Sequence, residues 1–112
     1  MLFEFDIINS KEVFIIMSYM FCNKQVSGLN PLQNTLLSNA ETVNECEYHI
    51  TYDVLVSYGW IVNKNLIPEI GHTLNELIRL GIIKSFEYTI LSDFKGPEII
   101  IYCHCNHEQT GE

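Results

Sequence analysis

The sequence predicts an α+β fold: a mainly antiparallel β-sheet of about five to seven strands, sandwich-like in outline, with one principal amphipathic helix packed on it. Three observations carry that expectation. Apolar and polar residues alternate with a period of two in several separate stretches. One stretch, residues 67–80, changes to a helical period. The apolar stretches also follow one another through short turn-like segments, a pattern that pairs neighbours as hairpins rather than through crossovers. With 112 residues in all, residues 1–112 are expected to form a single globular domain around one core, with 106–112 a frayed tail.

In chain order, Phe3, Phe5 and Ile7 alternate with Glu4 and Asp6, as in a strand with one wet and one dry face. Asn9-Ser10 suits a tight turn. Residues 12–21 are apolar at both parities, which predicts a central strand covered on both faces. Residues 23–42 are rich in Asn, Gln and Ser, and read as a long connection with a short strand or helical turn around 32–37. Residues 45–58 show the clearest alternation. Cys46, Tyr48, Ile50, Tyr52, Val54, Val56 and Tyr58 fall on one parity and Glu45, Glu47, His49, Thr51, Asp53 and Ser57 on the other, with Leu55 as the apolar intruder. This predicts one long half-exposed strand, with a bend or bulge at Gly59. A helix over 67–80 follows, with Asn65 as cap, Pro68 and Glu69 in the first turn and Gly81 at its end. Its stripe is Ile70, Leu74, Leu77 and Ile78. A strand over 82–91, a turn over 92–97 and an interior strand over 98–105 complete the chain.

Charge is the strongest functional signal. Fourteen Asp and Glu against six Lys and Arg give a net charge of −8 and a pI near 4.8. Such a surface repels phosphate backbones and anionic lipids and attracts basic proteins. Nucleic-acid binding is further opposed by the lack of a basic stripe, since Arg79 is the single arginine and the lysines are scattered. With 47% hydrophobic and 18% charged residues the chain lies far from the composition of disordered segments. No apolar run reaches the roughly 18 residues of a membrane-spanning helix. Residues 13–21 are the most leader-like, but acidic residues precede them, so no export signal is expected and the location expected is cytoplasmic.

In a reducing cytosol Cys22, Cys46, Cys103 and Cys105 are expected as thiols, used as small core residues. Cys103, His104, Cys105 and His107 offer zinc-type donors. On a strand, however, Cys103, Cys105 and His107 stand about 6 to 7 Å apart, whereas zinc draws its ligands to about 2.0 to 2.3 Å of one point. No metal or cofactor is therefore expected. Cys46 and His49, the other local nucleophile and base pair, point to opposite faces of an extended strand. A phosphate-cradling glycine loop, a nucleophile elbow and a zinc-protease helix are all missing from the sequence. The expectation is a protein without enzymatic activity.

What remains is a row of carboxylates on a strand, and the residues expected to meet a partner are Glu45, Glu47, His49, Thr51, Asp53 and Glu87. Carboxylates so arranged can occupy the positions where a basic protein expects phosphates. In size, acidity and lack of catalytic motifs the chain resembles bacterial immunity proteins and phage-encoded inhibitors. No residue motif carries that resemblance. It implies an acidic binding protein that inhibits a basic protein, a toxin or nuclease, by occluding its active site. Two other readings stay open. One is a small metal-dependent enzyme or regulator using Cys103, Cys105 and His107 with Cys46 or His72. The other is a homo-oligomeric subunit joined through an exposed sheet edge.

Overall fold

The structure, a computed structural model, describes residues 18–90 and 96–105. Over these residues the fold is α+β, with eight strands in antiparallel sheets and three helices. The first hairpin joins β1 (Ser18–Phe21) to β2 (Lys24–Ser27) through Cys22 and Asn23, whose φ angles are 54° and 63°. A two-residue loop with both φ values positive matches the twist of the strands it connects. Helix α1 (Pro31–Ser38) starts at a capping box: Asn30 accepts from the Gln33 N–H, and the Gln33 side chain accepts from the Asn30 N–H.

Strands β3 (Glu41–Asn44) and β4 (Glu47–Ile50) form a second hairpin. Helix α2 (Tyr52–Ser57) follows at once, capped by Thr51, whose hydroxyl accepts from the Val54 N–H. It ends in a Schellman turn at Gly59 (φ 70°), where the Trp60 N–H reaches the Leu55 carbonyl and the Gly59 N–H that of Val56. A small hairpin of β5 (Ile61–Val62) and β6 (Asn65–Leu66) leads into α3 (Pro68–Arg79). This helix stops in the same way at Gly81, with the Ile82 N–H on the Leu77 carbonyl and the Gly81 N–H on that of Ile78. The Lys24 ammonium donates to the Gly81 carbonyl at 2.8 Å, adding positive charge at the helix C-terminus.

Strands β7 (Ser85–Ile90) and β8 (Pro97–Tyr102) join β3 and β4 in a four-stranded sheet of order β3-β4-β8-β7. One face of it packs on the helices. Ile50, Ile99 and Ile101 from the sheet meet a fully buried set that includes Leu36, Leu55, Ile70, Leu74, Leu77 and Ile83. Burying each such side chain stabilises the fold by about 1.5 to 3 kcal/mol.

Several expectations are corrected. The long strand over 45–58 ends at Ile50, because Thr51 caps a helix; Leu55 is then fully buried while Val56 and Tyr58 are 51% and 49% exposed. Asn65 does not cap α3 but lies in β6, and Ile67 takes the cap position without a side-chain hydrogen bond. The connection over 23–42 holds β2 and the whole of α1. Residues 18–21 are not a central strand, since among the described residues β1 pairs with β2 alone and Met20 is 63% exposed. The strand at 3–7, the turn at 9–10, most of the 92–97 turn and the tail at 106–112 lie outside the described residues.

The cysteines are not thiols. Cys22 bonds to Cys103 and Cys46 to Cys105, closing separations of 81 and 59 residues. Two hairpin turns are thereby stapled to the chain leaving β8. The β4–β8 register brings Glu47 opposite Tyr102 and the Cys103 N–H onto the Cys46 carbonyl at 2.9 Å, which carries the chain leaving β8 past both turns; Cys46 bonds not to Cys103 beside it but to Cys105, two residues further on.

Candidate functional site

The face of the four-stranded sheet turned away from the helices is acidic. Directly opposed residues of an antiparallel pair lie on the same side of the sheet. Glu41 opposes His49, His49 opposes Ile100, and Ile100 opposes Glu87, so one row crosses all four strands. A second row runs from Glu47 through Tyr102 to Ser85, and a third pairs Glu98 with Thr89. Four carboxylates, one histidine and one phenol thus share the face, with no lysine or arginine in these rows.

His49 is the hinge of the arrangement. Its Nε2 lies 2.7 Å from Glu47 Oε2 and its Nδ1 3.5 Å from Glu98 Oε1. Glu98 is only 6% exposed although it stands on the acidic face. Beside it opens a cavity of about 550 Å3, walled by Glu41, His49, Thr51, Tyr52, Asp53 and Glu98 together with Thr42 and Val43. The α2 N-terminus supplies Tyr52 and Asp53 because Thr51 turns the chain there.

The negative field of the face is visible in a neighbour. The Tyr102 hydroxyl donates to Glu87 Oε1 at 3.1 Å. Its pKa is raised above the ordinary phenol value, first by desolvation, then by that hydrogen bond, and then by the charges of Glu87 and Glu47. Tyr88, on the opposite parity of β7, is also raised, by burial and by Tyr52.

Of the residues singled out from sequence, Glu47, His49 and Glu87 do share one sheet face. Asp53 joins them through the helix rather than the strand, and Thr51 lines the cavity while its hydroxyl caps α2. Glu45 is exposed in the β3–β4 turn, beside the face rather than on it. Glu41, Tyr52 and Glu98 are additions. Glu98 opens the apolar run of β8, and its opposite parity to Ile99 and Ile101 is the one local hint that it faces the other way.

For the metal-based reading, Cys103 and Cys105 are consumed in disulfides. Among the described residues no group of three or more His, Cys, Asp or Glu side chains is placed to hold a metal ion, and His107 lies outside them. No helix of the described residues is long and apolar enough to cross a membrane. No protein-family model, curated protein or solved structure matches the chain.

Proposed function

We propose that this protein is a non-catalytic binding protein that docks its acidic sheet face on a basic protein and inhibits it by occlusion, in the manner of bacterial immunity proteins acting on toxins or nucleases. The observation that carries this reading is the placement of Glu41, Glu47 and Glu87 with His49 on one sheet face, around Ile100 and Glu98, which are themselves only 5% and 6% exposed. A sheet holds such charges at fixed spacing, so little ordering entropy is lost when they meet lysines and arginines. Complementary charge also raises the association rate.

All four cysteines are paired. Disulfides form and persist in oxidising compartments. Their presence supports a site of action in such a compartment over the cytoplasm that the sequence suggests.

The test is co-purification from the native cell with wild-type protein and with a Glu41→Lys, Glu47→Lys, Glu87→Lys triple variant, followed by binding measurements on whatever basic protein is retained. The reading expects tight binding that weakens as salt rises, chiefly through the association rate, and that disappears in the triple variant while the fold is kept. Retention of the same partner by the folded variant would show that another surface docks.

A further inference from the structure

We propose that the reduced protein binds one zinc ion through Cys22, Cys46, Cys103 and Cys105. The sulfurs that form two disulfides in an oxidising medium form a tetrathiolate site in a reducing one. This goes beyond the docking reading and does not depend on it.

The fold gathers these cysteines from three separate segments. Cys22 sits in the β1–β2 turn and Cys46 in the β3–β4 turn, while Cys103 and Cys105 follow the end of β8. The two turns meet directly, the Asn23 side chain donating to the Glu45 carbonyl at 3.4 Å. The Cα atoms of Cys22 and Cys103 are 5.1 Å apart, and those of Cys46 and Cys105 are 5.3 Å apart. The Cys103 N–H on the Cys46 carbonyl, at 2.9 Å, sets one pair beside the other. Along the chain Cys105 lies at most about 7 Å from Cys103.

Paired as disulfides, these sulfurs leave no metal-holding group among the described residues. Reduction supplies one. Each disulfide takes two electrons and two protons from two thiols, which leave joined as their own disulfide, and zinc then displaces the protons of the four cysteines. Sulfurs about 2.3 Å from one ion at tetrahedral angles stand about 3.8 Å apart, against about 2 Å in a disulfide. Each pair therefore opens by about 2 Å, within the range of side-chain rotation. The strand spacing that excludes zinc from Cys103, Cys105 and His107 does not apply, because β8 ends at Tyr102 and two of the four ligands come from other segments. A cleft of about 310 Å3 lined by Cys46, Cys103 and Cys105 gives an ion a path to the site, and Lys84 on its wall adds positive charge beside the thiolates. Four soft, tetrahedrally placed thiolates select zinc over hard cations. Zinc then keeps the three segments joined where disulfides do not persist.

The experiment reduces the full chain with a phosphine, strips it of metal and titrates it anaerobically with cobalt(II) and then zinc. Expected are a thiolate-to-cobalt charge-transfer band and the intense visible bands of a tetrahedral site, saturating at one ion per chain and lost as zinc displaces cobalt. Native mass spectrometry should show one zinc. Zinc should raise the Tm of the reduced chain, or restore its sheet signal in circular dichroism where the metal-free reduced chain is unfolded. Each of Cys22→Ser, Cys46→Ser, Cys103→Ser and Cys105→Ser should lower zinc affinity by more than about tenfold. His104→Ala, which removes the exposed donor between the last two cysteines, should bind as wild type. The oxidised protein should bind none. The proposal is overturned if the reduced chain takes up no stoichiometric zinc or if the cobalt spectrum lacks the tetrahedral thiolate bands. It is equally overturned if Cys22→Ser or Cys46→Ser binds as tightly as wild type, or if the oxidised protein binds zinc, since either result places the ion on other donors. Zinc that neither stabilises nor refolds the reduced chain would also sink it, because the ion would then be held without the fold.

Discussion

The ring of Tyr52 fills the space that any side chain at position 96 would need: a Cβ on Gly96 would stand 2.6 Å from Tyr52 Cδ1 and 3.0 Å from Cζ. Gly96 leads into β8 and Tyr52 opens α2, so this contact sets how the helix start approaches the sheet beside the acidic cavity. Replacing Gly96 by Ala should displace the ring and cost about 1 to 3 kcal/mol, as over-packing does. Urea denaturation of the Gly96→Ala, Tyr52→Ala and double variants tests this. The double variant should be more stable than the sum of the single losses predicts, because without the ring there is nothing to clash. Additive losses would mean that the two residues do not meet.

Leu55 and Val56 exchange roles between an extended and a helical reading of residues 51–57. In a strand continuing from Ile50, Val56 shares the parity of the core residues and Leu55 faces water. In α2 Leu55 is fully buried and Val56 is half-exposed. Leu55→Ala should therefore cost about 2 to 5 kcal/mol, and Val56→Ala no more than about 0.5 kcal/mol. Thermal or urea midpoints in the opposite order would restore the long strand.

The same pair shows where sequence patterning stops. Strand β7 and helix α3 are legible because each has one period throughout, and β8 because it is a short continuous apolar run, with stop signals such as Gly81 that match. From Glu45 to Tyr58 the parity pattern runs on unbroken apart from Leu55, while Thr51 and Gly59 carry helix-boundary chemistry. Those two residues outweigh the alternation because a cap and a Schellman turn satisfy backbone groups that a lone strand extension would leave unpaired. Glu47 and His49 are legible as a wet strand face, but Glu98 and Glu41 reach them only through β8 and β3 registers, which no local pattern encodes. The cysteine pairing is equally absent from local patterning, since it joins cysteines 81 and 59 residues apart.

Those bonds give a redox prediction. Cys22 and Cys103 are 1% and 3% exposed, whereas Cys46 and Cys105 are half-buried. Under mild reductant and alkylation, Cys46 and Cys105 should label first, and Cys22 and Cys103 only as the chain unfolds. Peptide mapping of the non-reduced protein should recover the 22–103 and 46–105 cross-links. Loop-closure entropy puts the larger ring at about 4 kcal/mol, so a Cys22→Ser, Cys103→Ser variant should show a clear fall in Tm. Four fully reactive thiols in the folded protein would refute the pairing and remove the support for an oxidising compartment.

Tyr102 and Glu87 make the charge of the sheet face measurable without a partner. The Tyr102 pKa is raised by desolvation, by its hydrogen bond to Glu87 and by the charges of Glu87 and Glu47. A phenol whose folded-state pKa lies above its unfolded value contributes stability that is fully present below the unfolded value, about 10, and is lost as pH rises through the folded one. Stability should accordingly decline in alkaline solution as Tyr102 ionises against the carboxylates. The phenolate absorbance that disappears in Tyr102→Phe isolates this titration from the other tyrosines. In Glu87→Gln its midpoint should move down toward the ordinary phenol value, yet stay above it, because desolvation and Glu47 remain. A midpoint that does not move would show that Glu87 is not within reach of Tyr102, and that Glu87 of β7 does not lie on the face with Glu47 of β4.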